Sequence, residues 1–439
     1  MNQNPFAMAP RTSAVERLLE YIRIPSVSGD GPSGSYGECA AWIKSYLEEE
    51  GLSVQVFSPI AHKPIIVATW QGQDPSLPSL LLNSHYDVVP ALRKHWTHEP
   101  FDVRNSVGCR KDPKVLEDGM IYGRGIQDMK SVGVQYVEAI HRLKASGFVP
   151  SRNVHLLFVP DEEIGGTDGM EAFLVSEQYK SIQPVAFALD EGLANPNDAF
   201  TVFYGERVPW WFYVKATGPT GHGSRFIKNT ATSKIIDVCN KALTFRAEQE
   251  ALLSADTGCK HGDIKKRNLG DVTTVNLNML KSGISQDGGK THALNVIPTE
   301  AVAGFDVRIS PNMDLKEFKA MLDKWCSAEG LSWEFVSWWK NPLHEHYTTA
   351  IDDTNIWWKL FNEGCEETGV PVETEVFPAA TDSRFLRQLG IPALGFSPMN
   401  KTEILLHEHN ESLHQDTFLR GIEVYETIFR RMFTYTGAM

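Results

Sequence analysis

The sequence predicts an α/β protein: one α/β domain with a largely parallel mixed sheet flanked by helices, split by an inserted α+β domain. Three observations carry this. Near-continuous apolar runs alternate with helical patterns before about residue 205, strand-like segments with polar alternation follow, and apolar strand and helix patterns return after about residue 346. At 439 residues the chain is also long for a single core. The expected boundaries are 1–204, 205–346 and 347–439.

Taken in order, SAVERLLEYIR (13–23) has helical spacing, which IPSVSG breaks. Four apolar runs follow, PIIVATW, PSLLLNS, NVHLLFV and PVAFALD, each short enough for a buried strand. Between them MKSVGVQYVEAIHRLKAS sets Val134, Val137 and Ile140, with Tyr136 and Leu143, on or near one helical face. VPWWFYVKAT, VTTVNLNML and EAVAGFDVRI then alternate as one-sided antiparallel strands do. Helical stretches at SKIIDVCNKALTFRAEQEALL and LKEFKAMLDKWCSAEG lie among and after them. The chain closes with a helix (IWWKLFNEGCEETG), an apolar strand (IPALGFSP) and an amphipathic helix (FLRGIEVYETIFRRMF). The Trp-Trp pairs at 210, 338 and 357 read as packing. Two polar loops, 104–119 and 254–271, stand out by their length.

Composition excludes several classes. A formal net charge of −13 argues against nucleic-acid binding, which requires a basic face. With no apolar run of membrane-spanning length, no membrane association is expected. The N-terminus lacks the basic, apolar and small-residue order of a secretory signal. Six scattered cysteines without a C-x-x-C pair read as reduced thiols, so a soluble cytoplasmic protein is expected.

The chemistry gathers at strand ends. LLLNS ends in His85, LLFVP in Glu162 and Glu163, and VAFAL in Asp190 and Glu191. Open α/β sheets build their sites at carboxyl ends of strands, so these can converge. Asp128 lies in the glycine turn YGRGIQDMK, and His407 and His409 in LLHEHNESLH. Each alone has a plainer reading: a solvated acidic turn, a glycine turn, a surface histidine. GRGIQD superficially matches a dinucleotide fingerprint, but Asp128 replaces the third glycine and would repel a pyrophosphate. Together they form an imidazole and carboxylate set without cysteine, suited to zinc, manganese or cobalt. Three ligating carboxylates, Asp128, Glu163 and Glu191, against two divalent ions leave one positive charge, which a hydroxide balances. That arithmetic favours two metals over one.

At these residues the chain resembles the two-metal aminoacylase and carboxypeptidase-type amidohydrolases, from LLEYIRIPSVSG to LHEHNESLHQDTFLRG. The motifs are LLNSHYDVVP, YGRGIQDMK, FVPDEEIGG, FALDEGLANPNDAFTVFY, TGHGSRF, NVIP, PAATDSRFLR and ALGFSPMN. The resemblance implies His85, Asp128, Glu163, Glu191 and His407 as ligands of two zinc ions per subunit, with cobalt or manganese as substitutes. Asp128 would bridge, with Glu163 and His407 on one ion and His85 and Glu191 on the other. The family pattern H-x-x-N-E selects His407 over His409. Glu162 would be the general base, and Asp87 would orient the His85 imidazole. The insert would be a lid and dimerisation domain, a four-stranded antiparallel sheet with two helices. Its His222 would reach a partner subunit's active site to stabilise the oxyanion, which requires a homodimer, and Asn295 would line that pocket. Arg384 would hold a substrate α-carboxylate through its guanidinium fork.

The implied activity is hydrolysis of small N-acyl-L-amino acids to an amino acid and a carboxylate. The alternatives are a metallo-dipeptidase or carboxypeptidase on the same site, and a non-enzymatic metal-binding dimer, which would not need Glu162.

Overall fold

In the computed structural model, residues 12–101, 118–254, 267–337 and 342–437 are described. The 104–119 loop up to residue 117, most of the 254–271 loop, and the Trp pair at 338 lie outside them. The chain forms two compact units. One comprises Met1–Tyr204, Thr349–Thr374 and Thr381–Met439, the other Gly205–Thr348 and Glu375–Ala380.

The first unit carries an eight-stranded mixed sheet. Its order is Ser53–Ile60, Lys63–Trp70, Val154–Val159, Ser79–His85, Val185–Asp190, Ala393–Phe396, Phe200–Glu206 and Val372–Phe377. The centre is parallel: Ser79–His85 pairs in parallel with Val154–Val159 on one side and Val185–Asp190 on the other. Ala393–Phe396 extends that direction beside Val185–Asp190. Both faces are covered, which is why these runs are apolar at nearly every position. Leu80, Leu82, Leu156 and Phe158 belong to the core on one face, Leu81, Leu157 and Val159 to that on the other. Period-two alternation splits each strand between the two cores.

The run PIIVATW is a strand but not a parallel one. It turns back from Ser53–Ile60 through His62, at φ 65°, and pairs antiparallel with both neighbours. Three strands carry no clear sequence signal: Ser53–Ile60, Phe200–Glu206 and Val372–Phe377. Ser53–Ile60 is mostly exposed, as an edge strand is, so burial imposes little pattern on it. The helices Ser131–Ala145 and Gln415–Phe433 pack on the sheet's larger core through Val134, Val137, Ile140, Ile422 and Phe429.

The second unit holds a four-stranded antiparallel sheet, Thr274–Ser282, Glu300–Ile309, Val208–Thr217 and Leu331–Phe335 in that order, with the helices Ala231–Ser254 and Leu315–Trp325. Trp210, Phe212, Val238, Phe305 and Phe318 form its own core. Among the described residues no helix is long and apolar enough to cross a membrane. Cys39, Cys239, Cys326 and Cys365 are free and buried.

Candidate metal centre

The three central parallel strands end side by side, and their register brings the acids together. His85 is level with Val159, so the turn after Val159 delivers Glu162 and Glu163 beside it. Leu82 is level with Leu189, which sets Glu191 on the other flank. Successive side chains point to opposite faces, and this separates Asp190 from Glu191. Glu191 Oε2 lies 3.5 Å from His85 Nε2. Asp190 instead accepts from Asn83 Nδ2 at 2.9 Å and Ser383 Oγ at 2.8 Å.

Asp128 arrives on the glycine turn. Gly125 sits at φ 85°, and a Cβ there would come within 2.5 Å of Val88 Cγ1. Glycine is therefore required for both backbone and space. Asp128 Oδ1 is 2.9 Å from His85 Nε2, and its Oδ2 is 3.2 Å from His407 Nε2. His407 Nε2 is also 2.9 Å from Glu163 Oε2. One carboxylate thus faces two imidazoles, with Glu191 on one side and Glu163 on the other. His409 turns away and stacks on His95 at 4.9 Å.

The electrostatics mark an excess of negative charge. Burial pushes the Glu162 and Glu191 carboxyls well above the usual range, and Glu163 up to about 7. Burial also acts on Asp128, but the bonds from His407 and His85 outweigh it and hold this carboxyl below its ordinary value. Bonds from Asp128 and Glu163 lift His407 to about 10. At His85 burial opposes the charged form, but Glu191, Asp128 and Asp87 raise it well above the ordinary imidazole range. Among the described residues, the ion pairs of Asp128, Glu163 and Glu191 run only to these two histidines.

This set fits divalent metal. One ligand atom each from His85, Asp128 and Glu163 lie within 4.8 Å of one another, as do those of His85, Glu162 and Glu191. His85 Nδ1 donates to the Asp87 carbonyl at 2.9 Å, leaving Nε2 toward the carboxylates as a metal-ligating imidazole requires. The Asp87 carboxylate stands 3.5 Å from Nδ1 and accepts the backbone N–H groups of Glu162 and Glu163, each at 3.2 Å. Asp87 therefore steadies His85 through its carbonyl and the acidic turn through its carboxylate.

Arg384 lies beside the same turn, donating to the carbonyls of Gly165 at 2.8 Å and Thr381 at 2.9 Å. Only part of its five-donor fork is used in these two bonds. His222 and Asn295 belong to the second unit. There Gly221–His222 and Val296–Ile297 form a two-stranded ribbon, and Gly223 donates to the Asn295 carbonyl at 2.7 Å. His222 is exposed, and its Nδ1 accepts the Ser224 backbone N–H at 3.2 Å. A neutral ring held this way carries its proton on Nε2, a donor without a partner among the described residues.

The family model described as peptidase family M20/M25/M40 matches residues 81–431, a span that contains every one of these residues. The chain belongs to this family. It is 45% identical over 414 residues to aminoacylase-1 of Mus musculus, covering 94% of this chain and 93% of that protein. It is 43% identical over 412 residues to aminoacylase-1 of Dictyostelium discoideum, covering 93% and 96%. An M20 family metallo-carboxypeptidase from Sulfolobus solfataricus shares the fold, with a TM-score of 0.67 at 19% identity over 96% of this chain and 99% of that one. As a member of this family the chain is a metal-dependent amidohydrolase.

Several residues behind this M20 site were not singled out from the sequence. Asp161, at φ 63°, is buried; its charge is met by Lys63 and by the Tyr36 hydroxyl at 2.7 Å. So the three acids ending this strand have different fates: Asp161 is paired with a lysine, and Glu162 and Glu163 join the histidines. Asp382 is fully buried, and burial together with Asp190 pushes it up to about 8. Glu411 is likewise buried and multiply bonded. Its place in the pattern H-x-x-N-E was the available signal; its partners lie nearly 300 positions away in sequence.

Proposed function

We propose that this chain hydrolyses N-acyl-L-amino acids to an L-amino acid and a carboxylate at a centre of two zinc ions per subunit, with cobalt or manganese as substitutes. The observation that carries this reading is Asp128, whose two oxygens face His85 at 2.9 Å and His407 at 3.2 Å. A bridging carboxylate has this arrangement. His85 and Glu191 would complete one ion, His407 and Glu163 the other. Bound divalent ions would supply Lewis-acid polarisation of the amide carbonyl and acidify the attacking water.

The chain's own residues do the rest. Glu162, which burial makes more basic than an ordinary carboxylate, takes the proton of the attacking water and returns it to the leaving amine. Asp87 holds the Glu162 backbone, so the base is fixed relative to His85. Arg384 presents its unused N–H groups to the α-carboxylate of the substrate. His222, through Nε2–H, stabilises the developing oxyanion in a partner subunit of a homodimer, and Asn295 lines the same pocket. The reduced, buried cysteines fit a cytoplasmic protein.

The test is hydrolysis of N-acetyl-L-methionine by zinc-loaded protein, beside Glu162→Ala and a chelated sample. Turnover lost in both controls supports the reading. Two equivalents of bound zinc without turnover on this substrate, but with turnover on unblocked dipeptides, would replace it with a dipeptidase.

A further inference from the structure

The two segments that carry Asp128 and His407 are joined by one carboxylate. Glu411 is fully buried, and its two oxygens accept four donors. Arg124 Nη1 donates to Oε2 at 2.8 Å and the Gly125 N–H to the same oxygen at 2.9 Å. The Gln127 N–H donates to Oε1 at 2.7 Å and the Asp128 N–H at 3.3 Å. Three of the four donors are therefore backbone amides of the turn that ends at Asp128. The fourth, Arg124, is 2% exposed and reaches back with Nη2 to the His407 carbonyl at 3.3 Å. The Trp96 ring lies under its guanidinium at 5.2 Å.

Gln127 fastens the same two segments from the other end. Its side-chain nitrogen donates to the carbonyls of Glu403 at 3.0 Å and Ser412 at 2.8 Å, and its oxygen accepts the Leu405 N–H at 3.0 Å. The backbone before Asp128 is thus tied on both sides to residues 403–412. His407 itself needs such support. It is the exposed member of the cluster, 48% of its side chain accessible, and it sits at φ 62° in a short loop. Nothing in an exposed loop of this kind would fix its imidazole at 3.2 Å from Asp128 without an anchor on the backbone.

We propose that Glu411, acting through Arg124, is a positioning residue that sets the separation of Asp128 and His407 and so tunes the affinity of the ion these two share with Glu163. The inference deepens the reading of the site given above and rests on it. Carboxylates behind a metal ligand typically change metal affinity about 10- to 100-fold when removed. A buried carboxylate receiving only N–H donors cannot be replaced neutrally by an amide, because the amide's own NH2 group then faces other donors. Glu411→Gln should therefore move the turn while keeping its volume.

The experiment is chelator competition on purified protein, with cobalt absorption spectra as a second readout. Wild type, Glu411→Gln and Glu50→Gln are compared. Glu50→Gln breaks the pair with His141, 2.7 Å long and outside the metal centre, and serves as a destabilised control. Glu411→Gln should bind the ion assigned to Asp128, His407 and Glu163 about 10- to 100-fold more weakly and lose part of the cobalt spectrum, with the ion assigned to His85 and Glu191 weakened less. Glu50→Gln should lower Tm alone. Equal affinities in wild type and Glu411→Gln overturn the inference, and so do equal losses in the two variants. If Glu411→Gln does not fold, Arg124→Lys keeps a positive charge on Glu411 and frees the His407 carbonyl. It should weaken the same ion several-fold, and wild-type affinity there overturns the inference. Wild type that binds no metal overturns the reading of the site together with this one.

Discussion

The strand-end cluster of the first unit and the His222 ribbon of the second solve opposite problems. In the first, His85, Asp87, Asp128 and Glu191 are all buried, and Asp87 alone holds three groups in place. In the second, His222 is exposed on a two-residue strand, and among the described residues its ring is held only by Ser224. A cluster of buried like charges must be over-determined, because each carboxylate left without compensation costs several kcal/mol. An exposed histidine carries no such cost, and the role proposed for His222 asks only for a single donor. The difference predicts where a substitution should spare stability: at His222 it should, and at His85 it should not.

The largest expected effect comes from Glu162, which shares the buried cluster without an ion pair of its own among the described residues. Its replacement by alanine should lower kcat by roughly 10²- to 10⁴-fold while bound metal stays at the wild-type stoichiometry. Metal analysis beside steady-state kinetics is the check. Glu162 lies within 4.8 Å of His85 and Glu191, so loss of metal in this variant would make it a ligand instead of the base.

His222→Ala should come next, with kcat lower by roughly 100- to 1,000-fold and no change in Tm or metal content. His85→Ala, by contrast, should lose metal and Tm together. A His222→Ala variant that melted early would erase the contrast between the two regions. One of near-normal activity would remove His222 from the chemistry.

Much of the first region was legible before folding. Strand ends are conspicuous when an apolar run stops at His85, at Glu162 and Glu163 or at Glu191, because burial leaves few reasons to place charge there. Choosing Glu191 over Asp190 and His407 over His409 came from the family resemblance, because neither the adjacent acids nor a loop without periodicity could be told apart by spacing. The supporting residues were less visible. Lys63 neutralises Asp161 across 98 positions, and Glu411 reaches the Asp128 turn across 283, so only the fold makes these contacts. The direction of Lys63–Trp70 was hidden for a related reason. A strand buried on both faces has the same composition whichever way it runs, and a short hairpin at His62 decided it.

Arg384 offers a smaller effect within the first region. Lysine keeps the charge but not the fork, and a charge-assisted bond is worth about 1.5–3 kcal/mol, so Arg384→Lys should raise KM by roughly 10- to 100-fold. Metal content should not move, which separates this residue from its neighbours in the acidic turn. An unchanged KM would leave Arg384 a clamp on the Gly165 carbonyl and nothing more.

The smallest prediction isolates burial from charge by setting His155 beside His85. Both are buried histidines on neighbouring strands, 3% and 0% exposed. His85 faces carboxylates and is raised, whereas burial alone takes His155 down to about 4, with Thr69 Oγ1 as its ring partner at 2.9 Å. A histidine lowered on folding binds its proton more readily in the unfolded chain. Stability is therefore complete above pH 6.5, is lost as pH falls toward about 4, and levels off below it. At pH 5 the wild type has lost about 1.5 pH units of this term, roughly 2 kcal/mol. His155→Gln removes the titration, so its stability relative to wild type should improve by roughly 2 kcal/mol between pH 7 and pH 5. Denaturant titrations of both proteins in chelator give this difference directly, and the acids common to the two chains cancel. A constant gap would mean that His155 takes its proton in the folded protein as easily as in the unfolded one. Burial by itself would then not explain why His85 needs three carboxylates to turn its affinity the other way.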